Sequence, residues 1–207
     1  MPKPIAATND FVVKFANVNG SGSASANGLF AKAILRMGVP VGARNIFPSN
    51  IQGLPTWYEV RVSEAGWLGR RGGVDLMVAM NPQTWDADVK GIEPGGYILY
   101  DSSKPLPASK FRDDITLIGA PLTELIAAEF INPRERQLFK NICYIGVVAH
   151  LLGIEPDLVK QLLTDEFKGK DKLTVVVNLS ASPTNIVIPG MRPGKLLGWG
   201  WKIIPGL

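Results

Sequence analysis

The sequence is poor in the residues that carry most enzymatic chemistry. Its 207 residues include one histidine, His150, and one cysteine, Cys143. A serine–histidine or cysteine–histidine triad therefore has no obvious players. A lone cysteine closes no internal disulfide and supplies no zinc or iron–sulfur ligand set. Within "NICYIGVVAHLL", Cys143 reads as a buried, inert thiol and His150 as a core or helix-end residue. The opening "MPKPIAATND" lacks the apolar core of a signal peptide, and the longest nearly apolar run, Ile142 to Leu152, is shorter than the roughly 20 residues a membrane span needs. A cytoplasmic protein with no membrane partner is the expectation. Charge of one sign is also scarce: 22 Lys and Arg stand against 18 Asp and Glu. Only at the end do Arg192, Lys195 and Lys202 lack an accompanying acid. Nucleic-acid binders concentrate basic residues on one face, so no nucleic-acid partner is expected.

What is present is an ordinary globular composition, 46% hydrophobic and 19% charged. Five short apolar runs read as strands: "FVVKFA" (11–16), "VPVGARNIF" (39–47), "VDLMVAM" (74–80), "YILYD" (97–101) and "ITLIGA" (115–120). Several are apolar on both pleat faces, as strands covered on both sides should be. Between and after them lie helical patterns at 24–37, at "NPQTWDADVKGI" with Asn81 as its cap, and at "PLTELIAAEF", "PRERQLFKNICYIGVVAHLLG" and "EPDLVKQLLTDEFKG". This alternation predicts an α/β, Rossmann-like fold with a mostly parallel sheet and helices on both faces. The alternating stretch Trp57 to Val62, between glycine-rich loops, predicts an edge strand and an excursion. Trp57 and Trp67 flank that excursion, where exposed aromatics would mark a protein contact. Residues 1–173 form the expected domain. Residues 174–207, in which "LTVVVNL" and "TNIVIP" are candidate strands, read as an irregular tail that either docks on a partner or is unrelated to the fold before it.

The candidate site is the turn Asn19-Gly20-Ser21-Gly22-Ser23-Ala24-Ser25, where a strand meets a helix. Glycine permits positive φ and close approach to a ligand. Free N–H groups and the dipole at the helix start favour an anion, often a phosphate. Ser21, Ser23 and Ser25 can cap the helix or donate to the same anion. No G-K-S/T follows, which excludes a Walker loop. A dinucleotide site wants an acid at the end of the second strand, and this one ends in Arg44-Asn45-Ile46-Phe47. Arg44 would suit the phosphorylated ribose of NADP or the 3′-phosphate of coenzyme A, or be a solvated charge. An empty, well-capped turn is the remaining alternative. Asn81 and Ser102 stand at neighbouring strand ends, beyond which ligands of parallel sheets sit. The candidate binding residues are thus Asn19, Gly20, Ser21, Gly22, Ser23, Arg44, Asn81 and Ser102, with no catalytic or metal residue.

Three stretches, "NVNGSGSASANGLFAKAILRMGVPV", "FPSNIQGLPTWYEVRVS" and "GGVDLMVAMNPQTWDADVKGIEPGGYILYDSS", together resemble the gamma domain of the 2-oxoacid:ferredoxin oxidoreductases. The resemblance runs from about residue 10 to 169. The family's loop G-x-x-G-Q/E-G is matched at its end by Gly20, Ser21 and Gly22, with Asn17 at the first glycine. Its R-G-G segment aligns with Gln52, Gly53 and Leu54, so the arginine is absent. The resemblance implies a gamma subunit, or detached gamma domain, that catalyses nothing alone. It implies thiamine-binding alpha and beta partners, iron–sulfur clusters carried elsewhere and ferredoxin as acceptor. Coenzyme A is the candidate ligand of this chain, and pyruvate or 2-oxoglutarate a substrate of the whole. The alternatives are a free-standing NADP-type oxidoreductase and a purely structural interaction domain.

Overall fold

The structure, a computed structural model, describes residues 4–49, 51–167, 176 and 199–201. Six strands form one sheet: β1 (Asp10–Val18), β2 (Val41–Ile46), β3 (Pro55–Ser63), β4 (Val74–Ala79), β5 (Ile92–Asp101) and β6 (Thr116–Ala120). The order across it is β2-β3-β1-β4-β5-β6. β1, β4, β5 and β6 run parallel, while β3 is antiparallel to both β1 and β2. The fold is therefore α/β with a mixed, mostly parallel sheet. The expected edge strand is a correction: β3 lies inside the sheet, and β2 takes the edge. The polar members of the alternation in 57–62, Glu59 and Arg61, are buried and ion-paired with Arg44 and Asp10, and β3 is buried continuously from Glu59 onward.

The helices are α1 (Ser23–Arg36), α2 (Trp85–Lys90), α3 (Leu122–Glu129), α4 (Pro133–Leu151) and α5 (Pro156–Glu166). Pleating sends alternate side chains to opposite faces. One set, including Phe11, Phe15, Leu76, Val78 and Leu99, meets α1, α3, α4 and α5 in the main core. The other, including Ala16, Met77, Ala79 and Ile98, meets Trp85 and Val89 of α2 in a smaller one. Covering on both faces explains why β4 is buried at all six positions and reads as an apolar run broken only by Asp75, which pairs with Arg71.

α4 is the central helix of the large layer. Its residues Ile142, Tyr144, Val147 and Val148 are fully buried, and it contacts α1, α3 and α5. Cys143 beside them is buried too, and burial, with the Asp101 charge, pushes its thiol up to about 12. Asn81 caps the short turn before α2, its Oδ1 accepting the Gln83 N–H at 3.0 Å. The candidate strands "LTVVVNL" and "TNIVIP" lie outside the described residues, apart from Val176, which is buried in the main core. Near the chain end, Trp199 stands 4.5 Å from Phe11 ring to ring and donates its indole N–H to Ile5 O at 3.0 Å. Gly200 bridges to Thr8.

Candidate functional site

The glycine loop follows β1 and enters α1. Gly20 and Gly22 both take positive φ, +82° and +76°, which side chains rarely adopt. Both are exposed. The loop is held from three sides. Asn19 N–H donates to Leu54 O at 2.8 Å, and Gly53 N–H donates back to Asn19 O at 3.0 Å. Ser21 N–H closes the turn on Val18 O at 3.2 Å. From α4, the Asn141 amide donates to Ser21 O at 2.8 Å. A methyl group on Gly20 would stand 2.6 Å from Gln52 Cγ, so a larger residue there would force the exposed Gln52 side chain to move.

Two clefts flank this loop and share Asn17, Asn19 and Gly20. The first, of about 240 Å³, runs along the first turn of α1 toward Asn45, Thr56 and Tyr58. The second, of about 340 Å³, lies between the loop, Gln52 and the α4 residues Gln137, Lys140 and Asn141. The first turn of α1 has no side-chain cap and no acid: its N-cap is Gly22, so the expected serine cap is absent. Its N–H groups and dipole are left facing the first cleft.

Asn17 forms part of the wall of both clefts, is 4% exposed, and its amide nitrogen has no hydrogen-bond partner. It interacts with the Tyr144 hydroxyl, which itself donates to Asn27 Oδ1 at 2.8 Å. Ser21 Oγ is also buried and unpartnered. Orphaned buried donors are rare and point to a missing acceptor. Lys140 supplies a cation to the second cleft. Its Nζ is 3.5 Å from Asp101 Oδ2. Burial raises the Asp101 carboxyl, but bonds from Thr123 and Ser103 and the Lys140 charge outweigh it and leave it below the ordinary aspartate value.

The structure brings Asn19, Gly20, Ser21, Gly22 and Ser23 together in these clefts. Arg44 does not join them. It points to the other sheet face, where its Nε and Nη2 donate to Glu59 Oε1 at 3.0 and 2.7 Å. Asn81 borders neither cleft: it acts beneath the loop, its amide donating to Asn17 O at 3.2 Å. Ser102 lies at the end of β5 against Gly119, away from both. Sequence reading missed Lys140 and Asn141. A signal existed, because Gln137, Lys140 and Asn141 fall at i, i+3 and i+4 and so share one face of the helix. Among the described residues no group of three or more His, Cys, Asp or Glu is placed to hold a metal. No described helix is long and apolar enough to cross a membrane.

Residues 12–182 match the model of the pyruvate ferredoxin/flavodoxin oxidoreductase family. The chain belongs to this family. A curated relative, subunit alpha of a 2-oxoacid:ferredoxin oxidoreductase from Aeropyrum pernix, is 19% identical over 84% of this chain. The chain spans about a third of that relative, 32% of its length. Among solved structures, a 2-oxoglutarate:ferredoxin oxidoreductase from Magnetococcus marinus, with 2-oxoglutarate, coenzyme A and succinyl-CoA bound, aligns with a TM-score of 0.72 and 21% identity. The match covers 84% of this chain and 30% of that one. A pyruvate oxidoreductase subunit from Thermotoga maritima aligns with a TM-score of 0.70 and 18% identity, over 87% of this chain and 99% of its own. The gamma subunit of a keto/oxoacid ferredoxin oxidoreductase from Geobacter sulfurreducens gives 0.64 and 16%, over 83% and 96%. At these identities the structural likeness establishes the family's fold in this chain.

Proposed function

We propose that this chain is the gamma subunit, or the gamma domain of a longer polypeptide, of a 2-oxoacid:acceptor oxidoreductase. The complex would decarboxylate a 2-oxoacid oxidatively, form an acyl-CoA and reduce ferredoxin. The likeness to two separate subunits over nearly their whole length supports the gamma role. In this reading thiamine diphosphate and iron–sulfur clusters belong to the alpha and beta partners and the ferredoxin. This chain would help assemble the complex and hold the anionic part of coenzyme A at the glycine loop.

The observation that carries the ligand assignment is the buried, unpartnered Asn17 amide between an uncapped helix start and Lys140. Phosphate oxygens would accept from the Asn17 amide, Ser21 Oγ and the α1 N–H groups, with Lys140 as counter-charge. The NADP alternative loses support, because Arg44, the basic residue it needs at the ribose, is spent on Glu59. Titration of coenzyme A and NADPH against tryptophan fluorescence tests this. Saturable coenzyme A binding, at least tenfold weaker in Lys140→Gln, is expected. Binding of NADPH without coenzyme A would refute the assignment.

A further inference from the structure

The first cleft beside the glycine loop has a polar wall that an anion alone leaves unused. Asn17, Asn45, Thr56 and Tyr58 line it from the three neighbouring strands β1, β2 and β3. The register sets Asn17 opposite Thr56 and Asn45 opposite Tyr58. Paired positions share a pleat face, and Phe15 opposite Tyr58 places this set on the side of the main core. Farther along that side the residues are apolar: Phe11, Val13, Val60 and Val62. At the cleft they turn polar, yet among the described residues no lysine, arginine, aspartate or glutamate lines it. Such a wall suits a neutral ligand part with donors and acceptors of its own.

Two of these side chains have hydrogen-bonding capacity to spare. The Thr56 hydroxyl donates to Asn45 Oδ1 at 3.1 Å, which fixes the direction of the amide. Oδ1 keeps one lone pair, and Nδ2 has no partner among the described residues. The Tyr58 hydroxyl lies against α1, where a methyl group on Gly28 would stand 3.7 Å away. Burial raises the Tyr58 phenol above its ordinary value of 10, only partly offset by the Lys32 charge, so it stays protonated and able to donate.

An oriented asparagine amide matches one base well. It accepts from the 6-amino group of adenine and donates to the adjacent ring nitrogen, whereas guanine presents an acceptor where adenine has that amino group. Asn45 cannot turn to suit guanine without losing its bond from Thr56. β2 lies two strand spacings, about 10 Å, from β1, a distance that a nucleotide spans from its phosphates to the far edge of its base.

We propose that the first cleft holds the adenine base of the coenzyme A whose phosphates the glycine loop takes. Asn45 is the specificity residue, Thr56 positions it, and Tyr58 is a further donor. The assignment rests on the coenzyme A reading, in which the thiol must reach thiamine on a partner and the nucleotide end is what this chain keeps.

Calorimetric titration of the full chain with coenzyme A, adenosine 3′,5′-bisphosphate, guanosine 3′,5′-bisphosphate and 4′-phosphopantetheine tests it. Coenzyme A and the adenosine compound should bind saturably, and the guanosine compound at least tenfold more weakly. Asn45→Ala and Thr56→Val should each shrink that preference to below about threefold. Lys140→Gln should weaken both nucleotides and keep the preference, a split that a general loss of packing would not give. Should Thr56→Val not fold, the exposed Asn45 decides alone. Coenzyme A binding without a base preference, a preference that survives Asn45→Ala, or affinity carried by phosphopantetheine overturns the base site and leaves the coenzyme A reading standing. An Asn45-dependent preference for the adenosine compound without coenzyme A binding supports the base site and refutes that reading. Binding of none of the four refutes both.

Discussion

The Asn141 amide reaches the Ser21 carbonyl at 2.8 Å, across 120 residues of sequence. Asn141 is 1% exposed and lies in α4, so the central helix of the large layer holds the ligand loop directly. Replacing it with alanine leaves the Ser21 carbonyl without its partner and loosens the loop. Asn141→Ala should cost about 1–2 kcal/mol of stability and weaken coenzyme A binding. Denaturant melts and ligand titration check both. Unchanged values in the two would mean that α4 does not position the loop.

Gly20 and Gly53 separate two penalties. Both have positive φ, +82° and +89°, but a methyl group at Gly53 meets nothing within 4 Å, while at Gly20 it meets Gln52 Cγ at 2.6 Å. Gly53→Ala should cost about 1–2 kcal/mol, the penalty of left-handed backbone alone. Gly20→Ala should cost more. In a Gln52→Ala background the gap between the two glycine variants should close, as read by urea midpoints. Equal costs in the wild-type background would remove the crowding argument.

Asp101 links stability to acid. Its carboxylate accepts from Thr123 N–H at 3.3 Å at the start of α3 and from Ser103 N–H at 3.2 Å. Its folded pKa is depressed below the ordinary 3.8. A depressed carboxyl contributes stability above its unfolded pKa and loses it as pH falls through the folded value. Asp101→Asn should therefore cost about 1–2 kcal/mol at neutral pH. The difference from wild type should shrink below about pH 4, near the unfolded pKa. A constant difference across that range in pH-dependent melts would show that the Asp101 charge is not responsible.

Cys143 should behave as an inert thiol. It is fully buried and pushed up to about 12, so almost no thiolate exists at pH 8. Labelling with a disulfide reagent should proceed at the rate of opening, and rise to that of a free thiol in denaturant. Fast labelling of the native chain would contradict the packing of α4.

Several features of this protein are settled by local sequence. Apolar runs covered on both sides had to be internal strands of a doubly layered sheet, because only helices on both faces satisfy residues such as those of β4. Asn81 before Pro82 had to start a helical turn, since its side chain reaches the Gln83 N–H two residues on. The glycine turn after β1 was equally readable, because positive φ selects glycine. Cys143 in an unbroken apolar stretch could only be a buried thiol.

Other features depend on pairings that no local pattern encodes. Arg44 looked like a ligand residue because it ends the second strand. Its direction was decided by register, which places it opposite Glu59 and turns it away from the loop. β3 looked like an edge because alternation reports one-sided burial; its place between β2 and β1 depends on which strands it pairs with. Lys140 and Asn141 meet the glycine loop only once α4 docks beside α1. Periodicity fixes which face of an element is apolar. Which polar groups converge, and which are left without a partner, is set by contacts between residues distant in the chain, and these exist only in the assembled fold.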